Sequence, residues 1–248
     1  MIRVEHQDAI ATITLDRPER RNALTPDMLD RLVAAVGEAS ARARVLLLAG
    51  SGKVFCSGFD LSMCKESPDG GVMRRLLTGL SDAVRALRDS PRPVVIGAHG
   101  AAIAGGCALL GGGDLVITDD GARLGYPVTR LGISPAVSAP FLRLSVGDGA
   151  CRERMLDSGL VSGRDAVRLG LVTGSVRAPE EVVPAARALA EQIAAKPPGG
   201  VEATKRWLVE LCGAERWADR ALNVSLGLAG GAEEHARLRE FWQGSDRT

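Results

Sequence analysis

The chain has 248 residues, 46% of them apolar, and aromatic residues make up only 3%, so its core is built mainly from small and aliphatic side chains. Its 31 basic and 30 acidic residues leave a net charge of +1, which gives no electrostatic footprint for nucleic acid or an anionic membrane. Five cysteines without a CxxC spacing and three widely separated histidines exclude a zinc constellation and fit free thiols in a reducing cytoplasm.

The first fifteen residues carry no basic stretch followed by an apolar one, so no export signal is expected. Strands are predicted at Ile2–Glu5 and Ile10–Leu15, the second with Ile13 and Leu15 alternating with Thr12 and Thr14. Thr25-Pro26 reads as an N-cap followed by Pro at the first helical position. Behind it Met28, Leu29, Leu32, Val33 and Val36 share one helical face. Val45–Ala49 is a short apolar run, as a strand buried on both faces should be. Leu76, Leu80, Val84 and Leu87 mark a second amphipathic helix, and Val94–Ala98 and Val116-Ile117 are further strands.

Between Val94 and Gly113 His99 is the only clearly polar side chain, over a length that could span a bilayer. Seven of these residues are glycines, each costing about 0.8–1 kcal/mol in a helix interior, so a buried strand, a glycine turn and a tightly packed helix are predicted instead. Alternating strands and helices imply crossover units and a mainly parallel sheet. After about Ala139 helical patterns dominate: 139–146, 149–158, 164–169, 180–194, 201–211, 215–228 and 232–242. Lys196-Pro197-Pro198-Gly199-Gly200 is the only linker-like stretch, dividing a core at 1–195 from a helical region at 196–248.

Two glycine-bearing runs each follow a predicted strand. They are Val54-Phe55-Cys56-Ser57-Gly58-Phe59-Asp60-Leu61 and Ile103-Ala104-Gly105-Gly106-Cys107-Ala108. Each alone reads equally as an ordinary turn. Together they lie at the C-terminal ends of neighbouring strands, where open α/β sheets bind ligands. Backbone N–H groups there, one at a helix N-terminus, could converge on one oxygen as an oxyanion hole. A doubly wound dinucleotide-binding protein is disfavoured, because no GxGxxG follows the first strand.

Asp16-Arg17-Pro18-Glu19-Arg20-Arg21-Asn22-Ala23-Leu24 resembles the N-terminal signature of the crotonase (enoyl-CoA hydratase/isomerase) family. Phe55–Leu61, Pro93–Asp114, Leu124–Ile133 and Gly163–Val172 are similar, in order, to its two oxyanion loops and later segments. The resemblance implies an α/β fold: a crotonase-like spiral of ββα units with a helical C-terminal region that builds a homotrimer or dimer of trimers. It implies an acyl-CoA ligand, with no cofactor beyond the coenzyme A of the substrate. The oxyanion donors would be the N–H groups of Phe59 and Gly105. Cys56, Ser57, Gly58, Asp60 and Leu61 would line the CoA path, and Arg20 or Arg21 either meets CoA phosphates or forms a solvated basic loop.

The departures from the family carry equal weight. Its hydratases place their two catalytic glutamates at the positions of Ala108 and Val128, and neither residue here can move a proton. Three other groups are candidates for acid–base work. Cys107 is either a thiolate beside a helix N-terminus or a small buried hydrophobe. Tyr126 either polarises a carbonyl or packs beside Pro127. Glu66 lies in a polar stretch that could deliver a carboxylate as a lid. The expected protein therefore binds acyl-CoA and acts on it without standard hydration; the alternative is a non-catalytic acyl-CoA binder.

Overall fold

Strand Ile10–Leu15 (β2) is buried along its whole length because it lies between Ile2–Gln7 (β1) and Val45–Gly50 (β3) and is covered on both faces. Thr12 and Thr14 alternate with Ile13 and Leu15 along it. In the structure both are buried, and Thr12 Oγ1 accepts a hydrogen bond of 2.9 Å from Arg187 on a covering helix. This is a computed structural model describing residues 1–245, apart from the side chains of Cys212, Glu215 and Ser245.

The main sheet continues through Val94–Ala98 (β4), Leu115–Asp119 (β6) and Gly174–Val176 (β9), in the order β1-β2-β3-β4-β6-β9. Only β1 is antiparallel to its neighbour. A second sheet joins Ala101–Ile103 (β5), Arg123–Gly125 (β7) and Val161–Ser162 (β8). Isolated bridges Leu24–Phe59 and Cys56–Ala102 extend this second layer across earlier turns of the chain. Each turn thus gives one strand to the main sheet and one short extended segment to the second layer, which is the expected spiral.

Helix Pro26–Ser40 (α1) starts as its sequence dictates, with Thr25 Oγ1 accepting from the Met28 amide. It buries Met28, Leu29, Leu32 and Val36, each of which contributes about 1.5–3 kcal/mol of burial free energy. Gly71–Arg88 (α2) packs on α1, and Gly105–Leu110 (α3) packs on α2. Ala139–Leu156 (α4) covers the two helices expected at 139–146 and 149–158, joined across a kink at Gly147 with φ 78°. Gly163–Leu169 (α5) follows, and Pro179–Ala194 (α6) closes the other face of the sheet over Ile10, Val45, Leu47 and Val95.

Pro198–Cys212 (α7), Glu215–Leu226 (α8) and Ala232–Ser245 (α9) complete the chain. Ala214, Ala218, Ala229 and Leu238 belong to the same buried cluster as α1, α2 and α3, so α8 and α9 share the main core, while Val201 of α7 packs on the cluster beneath α6. Cys56, Cys64, Cys107 and Cys151 are buried free thiols, while the side chain of Cys212 lies outside the described residues. Among the described residues no helix is long and apolar enough to cross a membrane, and 94–113 forms β4, β5 and α3.

Candidate active site

The loop after β3 is anchored from below by Asn22, which is fully buried in a left-handed conformation (φ 54°) that Asn tolerates better than most residues. Its Nδ2 donates to the carbonyls of Ser51, Val54 and Phe55 at 2.8–3.1 Å, and its Oδ1 accepts from the Arg17 amide at 2.8 Å. Gly58 then turns the chain at φ +96°, where an added Cβ would lie 3.1 Å from the Ile103 carbonyl oxygen. Leu24 N donates to Gly58 O and Asp60 N donates to Leu24 O, so the intervening Phe59 amide faces away from this bridge.

Across the gap, Ala104 adopts φ 52°, ψ −113°, a conformation that costs a non-glycine residue on the order of 1–3 kcal/mol. It persists because its amide donates to Gly125 O on β7 and its carbonyl accepts from Ala108 N, starting α3. Gly106 lets α3 approach the first loop, since a Cβ there would stand 2.5 Å from Cys56 O. Among the described residues no hydrogen bond engages the amides of Phe59 or Gly105. The two residues are in contact through the Phe59 side chain: a Cβ on Gly105 would lie 3.1 Å from the Phe59 ring.

Two cavities meet here. An outer cleft of about 610 Å³ includes Arg20, Arg21, Ser57, Asp60, Leu61 and Lys65 in its lining. An inner cavity of about 30 Å³ is walled by Gly105, Leu77, Leu80, Tyr126, Val137 and Ser138, among others. Phe59, Ala104 and Val128 line both and form the neck. α9 closes one side of the cleft, with Trp242 Nε1 donating to Leu61 O at 3.2 Å and Lys65 Nζ 5.8 Å from the Trp242 ring.

Asp60 braces the first loop. Its Oδ2 accepts from Arg17 at 2.7 Å and its Oδ1 from Ser62 Oγ at 2.6 Å. Burial pushes its carboxyl upward, but the Ser62 and Arg17 hydrogen bonds outweigh this and hold it below the ordinary carboxylate range.

Several expected contacts fall elsewhere. Cys56 is fully buried beneath the loop, its Sγ 3.2 Å from Asn22 O, and Gly58 is buried too, so both support the loop instead of lining the cleft. Cys107 is also fully buried, and desolvation pushes the thiols of Cys56 and Cys107 up to about 12. That removes Cys107 as a thiolate or base at neutral pH. Glu66 is exposed and lines neither cavity, so the lid carboxylate is not delivered in this conformation.

Tyr126 does reach the inner cavity, but its hydroxyl donates to Cys107 O at 3.3 Å. Burial first, and Cys107 second, raise its phenol well above the ordinary value, leaving a neutral donor already engaged. Of the two positions at which the resemblance would put the family's glutamates, Val128 stands at the neck. Ala108 does not reach the inner cavity; it lines a separate void of about 10 Å³ behind Tyr126 and Ser138.

Sequence reasoning overlooked Asn22, Lys65 and Trp242. The adjacent Arg-Asn before the first helix was the available signal for Asn22. Nothing local marks Trp242, because an aromatic on an amphipathic helix reads equally as core.

The sequence model of the family described as Enoyl-CoA hydratase/isomerase matches residues 5–237. The chain is 32% identical to a short-chain-enoyl-CoA hydratase of Clostridium acetobutylicum, over 82% of this chain and 78% of that one. Its fold superposes on a crystal structure of an enoyl-CoA hydratase/isomerase from Xanthobacter autotrophicus Py2 with a TM-score of 0.88 and 31% identity, covering 96% of this chain and 91% of that one. A second, from Mycobacterium paratuberculosis, also gives 0.88 at 26% identity, covering 96% and 97%. With the family model spanning nearly the whole length and the fold in agreement, the chain belongs to the enoyl-CoA hydratase/isomerase family.

Proposed function

We propose that this protein binds an acyl-CoA thioester with its carbonyl oxygen at the amides of Phe59 and Gly105, and acts on it by stabilising an enolate-like charge there. One observation carries the reading: two residues in contact, each with an amide that no hydrogen bond engages among the described residues, Phe59 at the neck and Gly105 in the wall of the small apolar cavity beside the large polar cleft. Arg20, Arg21 and Lys65 supply positive charge for the CoA phosphates in the cleft.

Standard hydration is not the proposed reaction. It needs one carboxylate to activate water and one acid to protonate the α-carbon, and each is worth typically 10²–10⁴-fold. No carboxylate lines the inner cavity among the described residues, and Val128 makes the neck apolar. The same apolar lining favours a second reading, binding without turnover. We further propose that the protein works in the cytoplasm as a homotrimer or dimer of trimers.

The test combines thermal shift with turnover. Acyl-CoAs should raise the melting temperature through RT ln(1 + [L]/Kd). Crotonyl-CoA should be hydrated near the background rate. No shift with any acyl-CoA at millimolar concentration would overturn the ligand, and hydration at about 1–10³ per second would overturn the reaction. Mass spectrometry of an acyl-CoA panel separates an enzyme from a binder.

A further inference from the structure

We infer that the inner cavity selects a short, uncharged acyl group, with Leu77 and Leu80 on α2 as its specificity-determining floor; this rests on the acyl-CoA reading above. The outer cleft is about twenty times larger than the inner cavity, so the limit is set beyond the neck, where the acyl chain would lie. A water-sized group needs roughly 10–15 Å³, so about 30 Å³ admits two or three methylene-sized groups. With the carbonyl and α-carbon at the neck, the chain that fits has about four or five carbons.

The floor has little room to retreat. Leu77 and Leu80 are each only 2% exposed, and the far side of α2 already touches α1: a Cβ on Gly79 would stand 3.0 Å from Leu29 Cβ. Interiors at this density resist added methylenes, which force side chains off their rotamers. A longer chain must displace α2 or fold back into the cleft.

The lining also sets charge. Among the described residues that wall the cavity none is charged. The Tyr126 hydroxyl is engaged with Cys107 O, and Ser134 Oγ accepts from the Ala136 amide. That leaves the Ser138 hydroxyl and the proton of the Ser134 hydroxyl, enough for a neutral polar atom but no cation. A carboxylate at the acyl terminus would lose its water and gain no cation, a strongly unfavourable exchange.

Calorimetric titration of the full chain with acetyl-, butyryl-, octanoyl- and succinyl-CoA tests this without any variant. Butyryl-CoA should bind best, with octanoyl- and succinyl-CoA each weaker by about tenfold or more. Leu80→Ala should recover several-fold of the octanoyl affinity while changing butyryl binding less. Octanoyl- or succinyl-CoA binding the wild type as tightly as butyryl-CoA would overturn the inference and leave the acyl-CoA reading intact. If no thioester of any length binds, the acyl-CoA reading falls and this inference falls with it.

Discussion

Asn22, Asp60 and Arg17 form a small polar frame under the loop that carries Phe59, and none of them needs to touch substrate to matter. Ala108 and Val128, where the resemblance would put the family's two glutamates, behave differently at this scale. Val128 is only partly buried and borders the cleft, so Val128→Glu can keep its charge near water. Ala108 is 3% exposed beside a void of about 10 Å³, so Ala108→Glu must both overpack the core and bury a carboxylate. We expect Ala108→Glu to cost about 3 kcal/mol or more and Val128→Glu less than about 1 kcal/mol. Denaturant melts of the two variants check this; equal stabilities would show that Ala108 has more room than the structure gives it. The family resemblance pointed to both positions in sequence, but which way a residue points around a six-residue helix is decided by packing against Tyr126 and Ser138. That orientation was not legible in the sequence.

At the scale of elements, one ion pair joins three of them at the N-terminal ends of the inner strands β4 and β6, the end of the sheet opposite the two glycine loops. Lys205 on α7 is 4% exposed and donates to both oxygens of Asp114, at 2.7 and 2.9 Å, and to the Arg88 carbonyl that ends α2. Asp114 in turn accepts from the Val94 amide at the start of β4. Only Lys205 is buried; Asp114 is exposed to solvent and keeps its bond from Val94, so the main loss in Lys205→Met is the unpaired Arg88 carbonyl, and the cost should be about 1–2 kcal/mol. The denaturation midpoint should fall with its slope unchanged, while acyl-CoA binding to the folded variant stays as in wild type. β3 and β4 could be read from the sequence because strands buried on both faces are continuous apolar runs. β5, β7, β8 and β9 could not, since two or three residues carry no period. Likewise Pro198 reads as linker, yet with its fixed φ it opens α7 at the first helical position.

Over the whole molecule, the helices after residue 196 divide their apolar residues between two destinations. Leu222, Leu226 and Trp242 pack against the core, whereas Trp207, Leu208, Leu211 and Trp217 are each more than half exposed. Large apolar side chains gathered at a surface mark an interaction site, and a trimer-based assembly is expected. Light scattering at micromolar concentration checks it, and a monomeric mass would exclude it. The order of strands in both sheets has a different consequence. β1-β2-β3-β4-β6-β9 and β5-β7-β8 each run in chain order, so no strand has to slip between two that are already paired. As the polypeptide leaves the ribosome, every new strand finds its neighbour already synthesised, and the helices that seal the core emerge last. Translation and assembly of this fold can proceed in the same direction.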